Sequence, residues 1–196
     1  IWKGLVGSEM CIRDRGVIAS RWSEDGLLTG SGIATTVMSN LGLERFLNQR
    51  GISMERTQVG DRYVVEHMRN SGFNLGGEQS GHIIMSDFST TGDGLIAGLQ
   101  FLAEIIRSDS NSKDLARIFE PVPQLLKNAS YKTGSDPLSK PNVVKAIKAA
   151  ELNLEGNGRL LIRKSGTEPL IRVMAESEDE DKMVKAVDSV VAEITA

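Results

Sequence analysis

Short apolar segments alternate with helix-forming segments along residues 16–106, and this alternation restricts the fold more than any other feature. Residues 32–38 are rich in β-branched side chains, and residues 54–59 form a second candidate strand. Residues 17–22 are predicted to be the end of one helix. A second helix is predicted after Asn40, and a third over residues 61–68. Because strands that alternate with helices are typical of a layered sheet, we predict a mixed α/β domain over residues 16–120.

A long helix is predicted after a glycine-rich loop at residues 76–82, with Thr91 or Asp93 as its N-cap. The helical period places four apolar side chains on one face: Leu95, Leu99, Leu102 and Ile106. The segment is too short and too polar to cross a bilayer.

The pattern changes at Pro121 and Pro123, which indicate a linker. Beyond it we predict a strand (124–133), a helix (143–152), a hairpin (159–174) and a last helix (179–194). A capping-box spacing from Ser177 to Glu180 begins the last helix and accounts for the acidic residues there. We therefore predict a smaller α+β domain over residues 121–196, with an antiparallel sheet and helices.

The charge balance excludes several classes of function. Lys plus Arg number 23 and Asp plus Glu number 26, so the net charge is −3, and the chain lacks the basic face that nonspecific nucleic-acid binding requires. No basic amphipathic segment indicates a membrane-surface protein. A single cysteine, Cys11, excludes an internal disulfide and a cysteine zinc site. We expect a cytoplasmic protein.

Residues 1–15 fit neither domain, because they have no periodic apolar face and no signal-peptide pattern. Residues 7–15 also look like translated technical sequence. We expect a non-family segment, artefactual or natural, with few buried contacts and an exposed Cys11.

The turn of the predicted hairpin, Arg-Lys-Ser-Gly-Thr-Glu-Pro, is a candidate anion site. Gly166 can adopt a positive φ, which lets backbone N–H groups converge on an anion. Arg163 and Arg172 lie on opposite arms near the mouth of the hairpin and can fork onto phosphate oxygens. Ser165 and Thr167 add hydroxyl donors. A polar turn with two solvated arginines is the competing interpretation.

The glycine-rich loop is a second candidate site, because its glycines allow the backbone to approach a ligand. Between them lie Glu78, Gln79, Ser80 and His82. An ionised carboxylate is a two-oxygen acceptor, which suits the vicinal hydroxyls of a sugar ring. A loop with a merely hydrogen-bonded histidine is the competing interpretation.

Two weaker signals adjoin predicted helices. Asp61 and Arg62 lie at a strand-to-helix junction, where α/β sheets place ligand contacts, although we favour an N-cap role for Asp61. The Thr-Thr-Gly-Asp-Gly motif at residues 90–94 is also best explained by capping. No Asp-rich run indicates a magnesium site, and no serine has the setting of an activated nucleophile.

Taken together, these motifs resemble the α-D-phosphohexomutase superfamily, and within it the bacterial glucosamine branch. The resemblance runs from about Gly16 to the C terminus, and the Gln79 and Lys164 variants of the two loops resemble that branch most. It rests on residues 36–42, 59–63, 77–82, 90–94 and 163–172, in that order.

The resemblance implies a four-domain parent enzyme, a phosphoglucosamine mutase. Such an enzyme interconverts glucosamine 6-phosphate and glucosamine 1-phosphate through a phosphoserine and a bisphosphorylated sugar intermediate, using Mg²⁺, for UDP-N-acetylglucosamine and cell-wall synthesis. The chain would hold most of domain 3 and all of domain 4. The phosphoserine and magnesium loops would lie upstream, so neither a catalytic residue nor a metal ligand is expected here, and the chain alone should be inactive.

The resemblance also assigns site residues and a partner, a hexosamine phosphate rather than a nucleic acid or a membrane. Two alternatives stay open: a phosphomannomutase or phosphoglucomutase of the same superfamily, and a non-catalytic sugar-phosphate-binding module. The implied residues are Glu78, Ser80 and His82 for the sugar, Arg163, Ser165, Gly166, Thr167 and Arg172 for the phosphate, and Asp61 and Arg62 facing the active site.

Overall fold

The computed structural model describes residues 8–109, 111, 115, 117–166 and 168–196, and the side chains of residues 8–14 lie outside that description. The chain is divided into two compact units, with the boundary between Pro121 and Val122. Each unit is built around its own sheet.

The N-terminal unit contains a four-stranded sheet in the order β2-β1-β3-β4. Strands β2, β1 and β3 are parallel, and β4 pairs with β3 in the antiparallel sense. Its elements are α1 (Ser8–Glu24), β1 (Gly32–Thr36), α2 (Leu41–Asn48), β2 (Ser53–Thr57), α3 (Asp61–Ser71), β3 (Leu75–Gly77), β4 (Ile83–Met85) and α4 (Gly94–Ser108).

Helices cover both faces of this sheet. Successive strand residues point to opposite sides, so each strand contributes side chains to both helical layers. On β1, Ile33 joins the larger core with residues of α1, α2 and α4, such as Trp22 and Leu47. The next residue, Ala34, packs with Val64 and Met68 of α3. The unit is therefore a three-layer α/β/α structure, as the alternating sequence pattern predicts.

Side-chain caps fix the starts of two helices. Asn40 accepts a hydrogen bond from the Gly42 N–H at the start of α2. Asp93, rather than Thr91, caps α4, and its Oδ1 accepts from the N–H groups of Leu95 and Ile96.

Four apolar side chains of α4 lie exposed along one face of the helix, and we refer to them as the α4 apolar stripe. Their exposed fractions are 74% for Leu95, 56% for Leu99, 55% for Leu102 and 81% for Ile106. The opposite side of α4 buries Ala97 in the core and places Glu104 near Arg21 of α1, 3.7 Å between Oε2 and Nε.

Arg15 differs from the expectation of few buried contacts in residues 1–15. Its side chain is fully buried, and its Nη1 donates to Thr35 Oγ1 of β1 over 3.1 Å. The reason is that α1 begins at Ser8 and carries Arg15 under the sheet. The side chain of Cys11 and residues 1–7 lie outside the described residues.

The C-terminal unit contains a three-stranded antiparallel sheet in the order β5-β7-β6. Residues of both helices, including Val143, Leu154 and Val187, pack against alternate sheet residues such as Ile171 and Val173. The predicted fold class, a layered α/β domain followed by a smaller α+β domain, is therefore confirmed. The elements are β5 (Gln124–Ser130), α5 (Pro141–Leu154), β6 (Gly158–Lys164), β7 (Leu170–Ser177) and α6 (Glu180–Thr195).

The predicted capping box at Ser177 is not the start of α6. Asp179 is the N-cap, and its Oδ1 accepts from the Lys182 N–H over 3.0 Å. Ser177 instead ends β7, where its Oγ accepts from the Asp179 N–H. Among the described residues, no helix has the length and apolar character needed to cross a membrane.

Candidate functional site

The turn between β3 and β4 presents Glu78 because glycines allow an unusually close approach of the backbone. Gly77 (φ 157°) and Gly81 (φ 114°) both adopt positive φ. A Cβ on Gly77 would lie 2.2 Å from the His82 carbonyl oxygen, so only glycine fits there. The Glu78 N–H donates to that same carbonyl over 2.9 Å, which fixes the carboxylate at the turn.

The Glu78 carboxylate joins the loops that follow two parallel strands. Its Oε1 accepts from the Gly60 N–H, after β2, over 2.6 Å. Its Oε2 accepts from Ser80 Oγ over 3.2 Å. Parallel sheets bind ligands at the carboxyl ends of their strands, and Glu78 is held at that edge.

Asp61 lies close to this carboxylate. The N-cap role that the sequence favours for Asp61 is wrong, because Gly60 occupies that position and Asp61 is the first helical residue of α3. Its Oδ1 lies 3.2 Å from His82 Nδ1, which is also 3.7 Å from Glu78 Oε2 and 3.4 Å from Ser80 Oγ. The helix start therefore brings Asp61 to the sugar-loop candidates Glu78, Ser80 and His82.

The two carboxyl groups titrate in opposite directions. Burial and the hydrogen bond with Glu78 raise the pKa of Asp61, against the opposing attraction of His82. Burial alone would raise the pKa of Glu78, but hydrogen bonds from Asp61, Gly60, Ser80 and His82 outweigh it, so the Glu78 pKa lies below its ordinary value. The contacts therefore favour the proton on Asp61 and the ionised form of Glu78.

Asp61, Glu78 and His82 also form a group that a cation could contact, since one ligand atom of each lies within 4.8 Å of the others. The sequence predicted no metal ligand in this chain. The group suits Mg²⁺ poorly, because Mg²⁺ prefers oxygen ligands, one of the three ligands is the imidazole of His82, and the Glu78 oxygens already accept from Gly60 and Ser80.

A cavity of about 440 Å³ lies beside Glu78. This volume suits a small ligand such as a monosaccharide. Its lining comes from the ends of β1 and β2 and from the glycine-rich loop: Thr36, Met38, Val59, Glu78, Gln79 and Ser80. Arg62 and Thr91 line a second cavity, of about 500 Å³, whose lining also includes Asp61.

Arg163 and Arg172 lie directly opposite each other on β6 and β7. Both side chains are partly buried, and among the described residues no carboxylate forms an ion pair with either. Burial, and then the like charge of Arg172, lower the pKa of Arg163. Like charges directly opposite on a sheet are destabilising unless an anion lies between them.

The turn that joins these strands differs from the predicted anion nest. The Ser165 N–H donates to the Leu170 carbonyl over 2.8 Å, and Gly166 does not adopt a positive φ. Lys164 Nζ donates to Asp136 Oδ1 over 2.7 Å, so this cation is neutralised within the unit. Thr167 lies outside the described residues.

Two contributors were not found from the sequence. Gly60 donates a backbone N–H hydrogen bond to Glu78, 18 residues further along the chain. Asp136 forms an ion pair with Lys164, so the Lys164 charge is neutralised. No local pattern signals either contact, because both depend on how distant loops meet.

Comparison with known proteins matches both units to one family. The model described as phosphoglucomutase/phosphomannomutase, alpha/beta/alpha domain III, matches residues 15–124. The model of the C-terminal domain of the same family matches residues 113–194. The chain belongs to the phosphoglucomutase/phosphomannomutase family. The resemblance stated from the motifs is thereby confirmed.

Two curated relatives to which the chain is similar over most of its length are phosphoglucosamine mutases. The chain is 66% identical over 180 residues to the phosphoglucosamine mutase of Ruegeria sp. (strain TM1040), and 65% identical over 175 residues to that of Ruegeria pomeroyi. These matches cover 92% and 89% of the chain but only 40% and 39% of the relatives. The chain therefore spans about two fifths of their length.

Solved structures share the fold at low sequence identity. Aspergillus fumigatus N-acetylphosphoglucosamine mutase, in complex with GlcNAc-6P and magnesium, matches with a TM-score of 0.73 and 17% identity. The match covers 97% of this chain and 44% of that one. A Burkholderia thailandensis family member matches with a TM-score of 0.65 and 20% identity over 92% of this chain and 41% of that one.

Proposed function

We propose that this chain is the substrate-recognising part of a phosphoglucosamine mutase, which interconverts glucosamine 6-phosphate and glucosamine 1-phosphate. The observation that carries the proposal is the directly opposed pair Arg163 and Arg172, partly buried and without a carboxylate partner among the described residues. Homology to the curated phosphoglucosamine mutases supports the choice of sugar.

The arginine pair recognises the phosphate. Two guanidinium groups at one place in a sheet repel each other, and a doubly charged phosphate monoester converts that repulsion into two charge-assisted contacts. Each such contact contributes about 1.5–3 kcal/mol. The pair is therefore selective for an anion rather than for a neutral sugar.

The glycine-rich loop recognises the sugar hydroxyls. Glu78 is 8% exposed, ionised and held by Gly60, so it accepts hydroxyl hydrogen bonds with little loss of conformational entropy. Ser80 lies exposed next to it and offers a hydroxyl, and His82 is exposed with its Nδ1 near Asp61. These three groups define the orientation of a sugar ring beside Glu78.

Phosphoryl transfer itself requires groups that the resemblance assigns to the part of the enzyme upstream of this chain. A bound Mg²⁺ supplies charge stabilisation at a transferring phosphoryl group. The residues of this chain bind and orient the substrate. We expect no mutase turnover by the purified chain, with or without Mg²⁺ and a sugar bisphosphate.

Titration of the purified chain with glucosamine 6-phosphate, glucose 6-phosphate, mannose 6-phosphate and inorganic phosphate tests the proposal by calorimetry. We expect Arg172→Ala to weaken binding of all four ligands about tenfold or more. Lys164→Ala is the matched control, because Lys164 pairs with Asp136, and it should change binding less than twofold. Equal binding by native chain and Arg172→Ala would refute the phosphate site.

The same titration separates the sugars. Preference for glucosamine 6-phosphate supports the glucosamine assignment, and preference for the mannose or glucose ester refutes it. Turnover by the purified chain would show that transfer groups are present after all. Mutase activity of a protein that joins this chain to the missing part of the Ruegeria relative, set against binding alone, distinguishes an enzyme part from a binding module.

A further inference from the structure

Asn128 occupies the third position of a residue row that crosses the sheet of the C-terminal unit. Arg172 on the central strand β7 is directly opposite Arg163 of β6 on one side and Asn128 of β5 on the other. Directly paired residues point to the same face of a sheet, with Cβ atoms about 4.5–5.5 Å apart. Asn128 and both arginines therefore share one face.

This face is opposite to the one that the two helices of the C-terminal unit cover. The neighbours of Asn128 along β5 and of Arg172 along β7, Ala129 and Ile171, belong to the helix-covered core. Asn128 itself is exposed, and its carboxamide has no hydrogen-bond partner among the described residues. An amide in this position is available to a ligand that the arginines hold.

A second row on the same face contains an arginine that forms an ion pair within the sheet. Arg159, Glu176 and Gln124 occupy equivalent positions on β6, β7 and β5, four residues along each strand. There Arg159 Nε donates to Glu176 Oε2 over 2.6 Å, so the cation is neutralised within the sheet. The row of Asn128 contains two cations and a neutral amide instead.

We propose that Asn128 is a phosphate-binding residue, whose carboxamide N–H donates a hydrogen bond to the oxyanion that Arg163 and Arg172 hold. A neutral donor adds a contact without adding a third positive charge to the row. A carboxylate there would pair with Arg172 and repel the anion. This inference rests on the proposed phosphate site and extends it to a strand outside the hairpin turn.

Phosphate titration of the full chain tests the inference, with inorganic phosphate as the probe and calorimetry as the readout. We expect Asn128→Ala to weaken phosphate binding about fivefold to tenfold, the effect of one lost hydrogen bond. Asn128→Asp has nearly the same shape and should weaken it about a hundredfold, because it also adds a negative charge next to Arg172. Asn128→Ser, which keeps a donor, should lie between the native chain and Asn128→Ala.

Gln124→Ala is the matched control, since Gln124 is an exposed amide on the same face of the same strand but in the neutralised row. It should bind phosphate within twofold of the native chain. Circular dichroism and the melting temperature verify that each variant is folded.

The outcomes separate the two proposals. Unchanged binding in Asn128→Asp, together with weakened binding in Arg172→Ala, would overturn this inference and leave the phosphate site intact. Equal weakening by Gln124→Ala and Asn128→Ala would also overturn it, because the effect would then belong to the sheet as a whole. Absence of phosphate binding by the native chain, or unchanged binding in Arg172→Ala, would overturn the phosphate site itself.

Discussion

Asp61 and Glu78 show how two neighbouring carboxyl groups can titrate in opposite directions. Burial and the Glu78 contact raise the pKa of Asp61, whereas the Glu78 pKa is lowered. These opposite shifts favour the proton on Asp61 and the charge on Glu78. The Asp61 side chain is partly accessible to solvent, with 43% of it exposed.

Replacing Asp61 with Asn should stabilise the fold at neutral pH. A carboxyl group whose folded-state pKa is raised disfavours folding once the pH rises above the unfolded pKa. The gain in melting temperature should therefore be largest at pH 7 and should shrink as the pH falls through the folded pKa of Asp61 towards its unfolded value. Thermal unfolding from pH 3 to pH 7 measures this difference.

Asp181→Asn is the control for that series. Asp181 is also a carboxylate in the first turn of a helix, where its negative charge interacts favourably with the helix dipole. Its replacement should leave the neutral-pH melting temperature unchanged or lower it slightly. Equal shifts in the two variants would show that helix position, rather than the contact with Glu78, determines the effect.

Glu78→Gln should separate sugar binding from phosphate binding. The substitution retains the shape of the side chain but removes the charge that strengthens acceptance from hydroxyls. We expect glucosamine 6-phosphate binding to weaken about tenfold while inorganic phosphate binding stays within twofold. Titration of one variant with both ligands measures this directly, and equal losses would contradict separate roles for the two units.

The candidate residues could be named from the sequence, but their contacts could not. Glu78 and the two arginines belong to motifs whose residue types are local. The Gly60 hydrogen bond and the Asn128 row depend on which strands become neighbours, and the sequence pattern does not specify that order. Gly166 illustrates the opposite case, since glycine permits a positive φ but this residue does not adopt one.

At the scale of elements, α4 is held by its cap and weakened by its glycine. Asp93 satisfies two N–H groups at its start. Gly98 lies within the helix, and a Cβ there would meet no atom within 4 Å. Nothing in the structure therefore requires glycine at this position.

Gly98→Ala should raise the free energy of unfolding by about 0.5–1 kcal/mol, because alanine loses less backbone entropy in a helix. Urea unfolding followed by circular dichroism measures the change. Gly77→Ala is the opposite case, since its Cβ would collide with the His82 carbonyl, and it should destabilise the chain and weaken sugar binding. A loss of stability in Gly98→Ala would show that an unseen neighbour contacts this face.

Helix and strand existence followed from periodicity, whereas several boundaries did not. The last helix begins at Glu180 because Asp179, not Ser177, turns its side chain to the backbone. Strand β5 ends at Ser130, three residues earlier than predicted, where its pairing with Leu170 of β7 ends. Caps compete locally, and strand length depends on the partner strand, so neither is determined by hydrophobic pattern alone.

At the scale of the whole molecule, two separate cores predict two unfolding events. Among the described residues, the core clusters of the N-terminal unit share no member with the cluster of the C-terminal unit. Calorimetry should resolve two transitions rather than one.

Phosphate should raise only the transition of the C-terminal unit, by about 2.7 kcal/mol at a concentration one hundred times Kd. The Arg172→Ala variant should lose this shift and keep both transitions. A single transition that phosphate shifts as a whole would show that the two units unfold together.

The α4 apolar stripe also determines how the molecules behave towards one another in solution. With a net charge of only −3, electrostatic repulsion between chains is weak, and four exposed aliphatic side chains in one line give a directional attraction. The osmotic second virial coefficient should therefore be negative and should become more negative in ammonium sulfate, which strengthens apolar association. Leu99→Lys should bring the coefficient towards zero in light scattering without lowering the melting temperature. The solubility of the chain would then be limited by this surface and not by the stability of the fold.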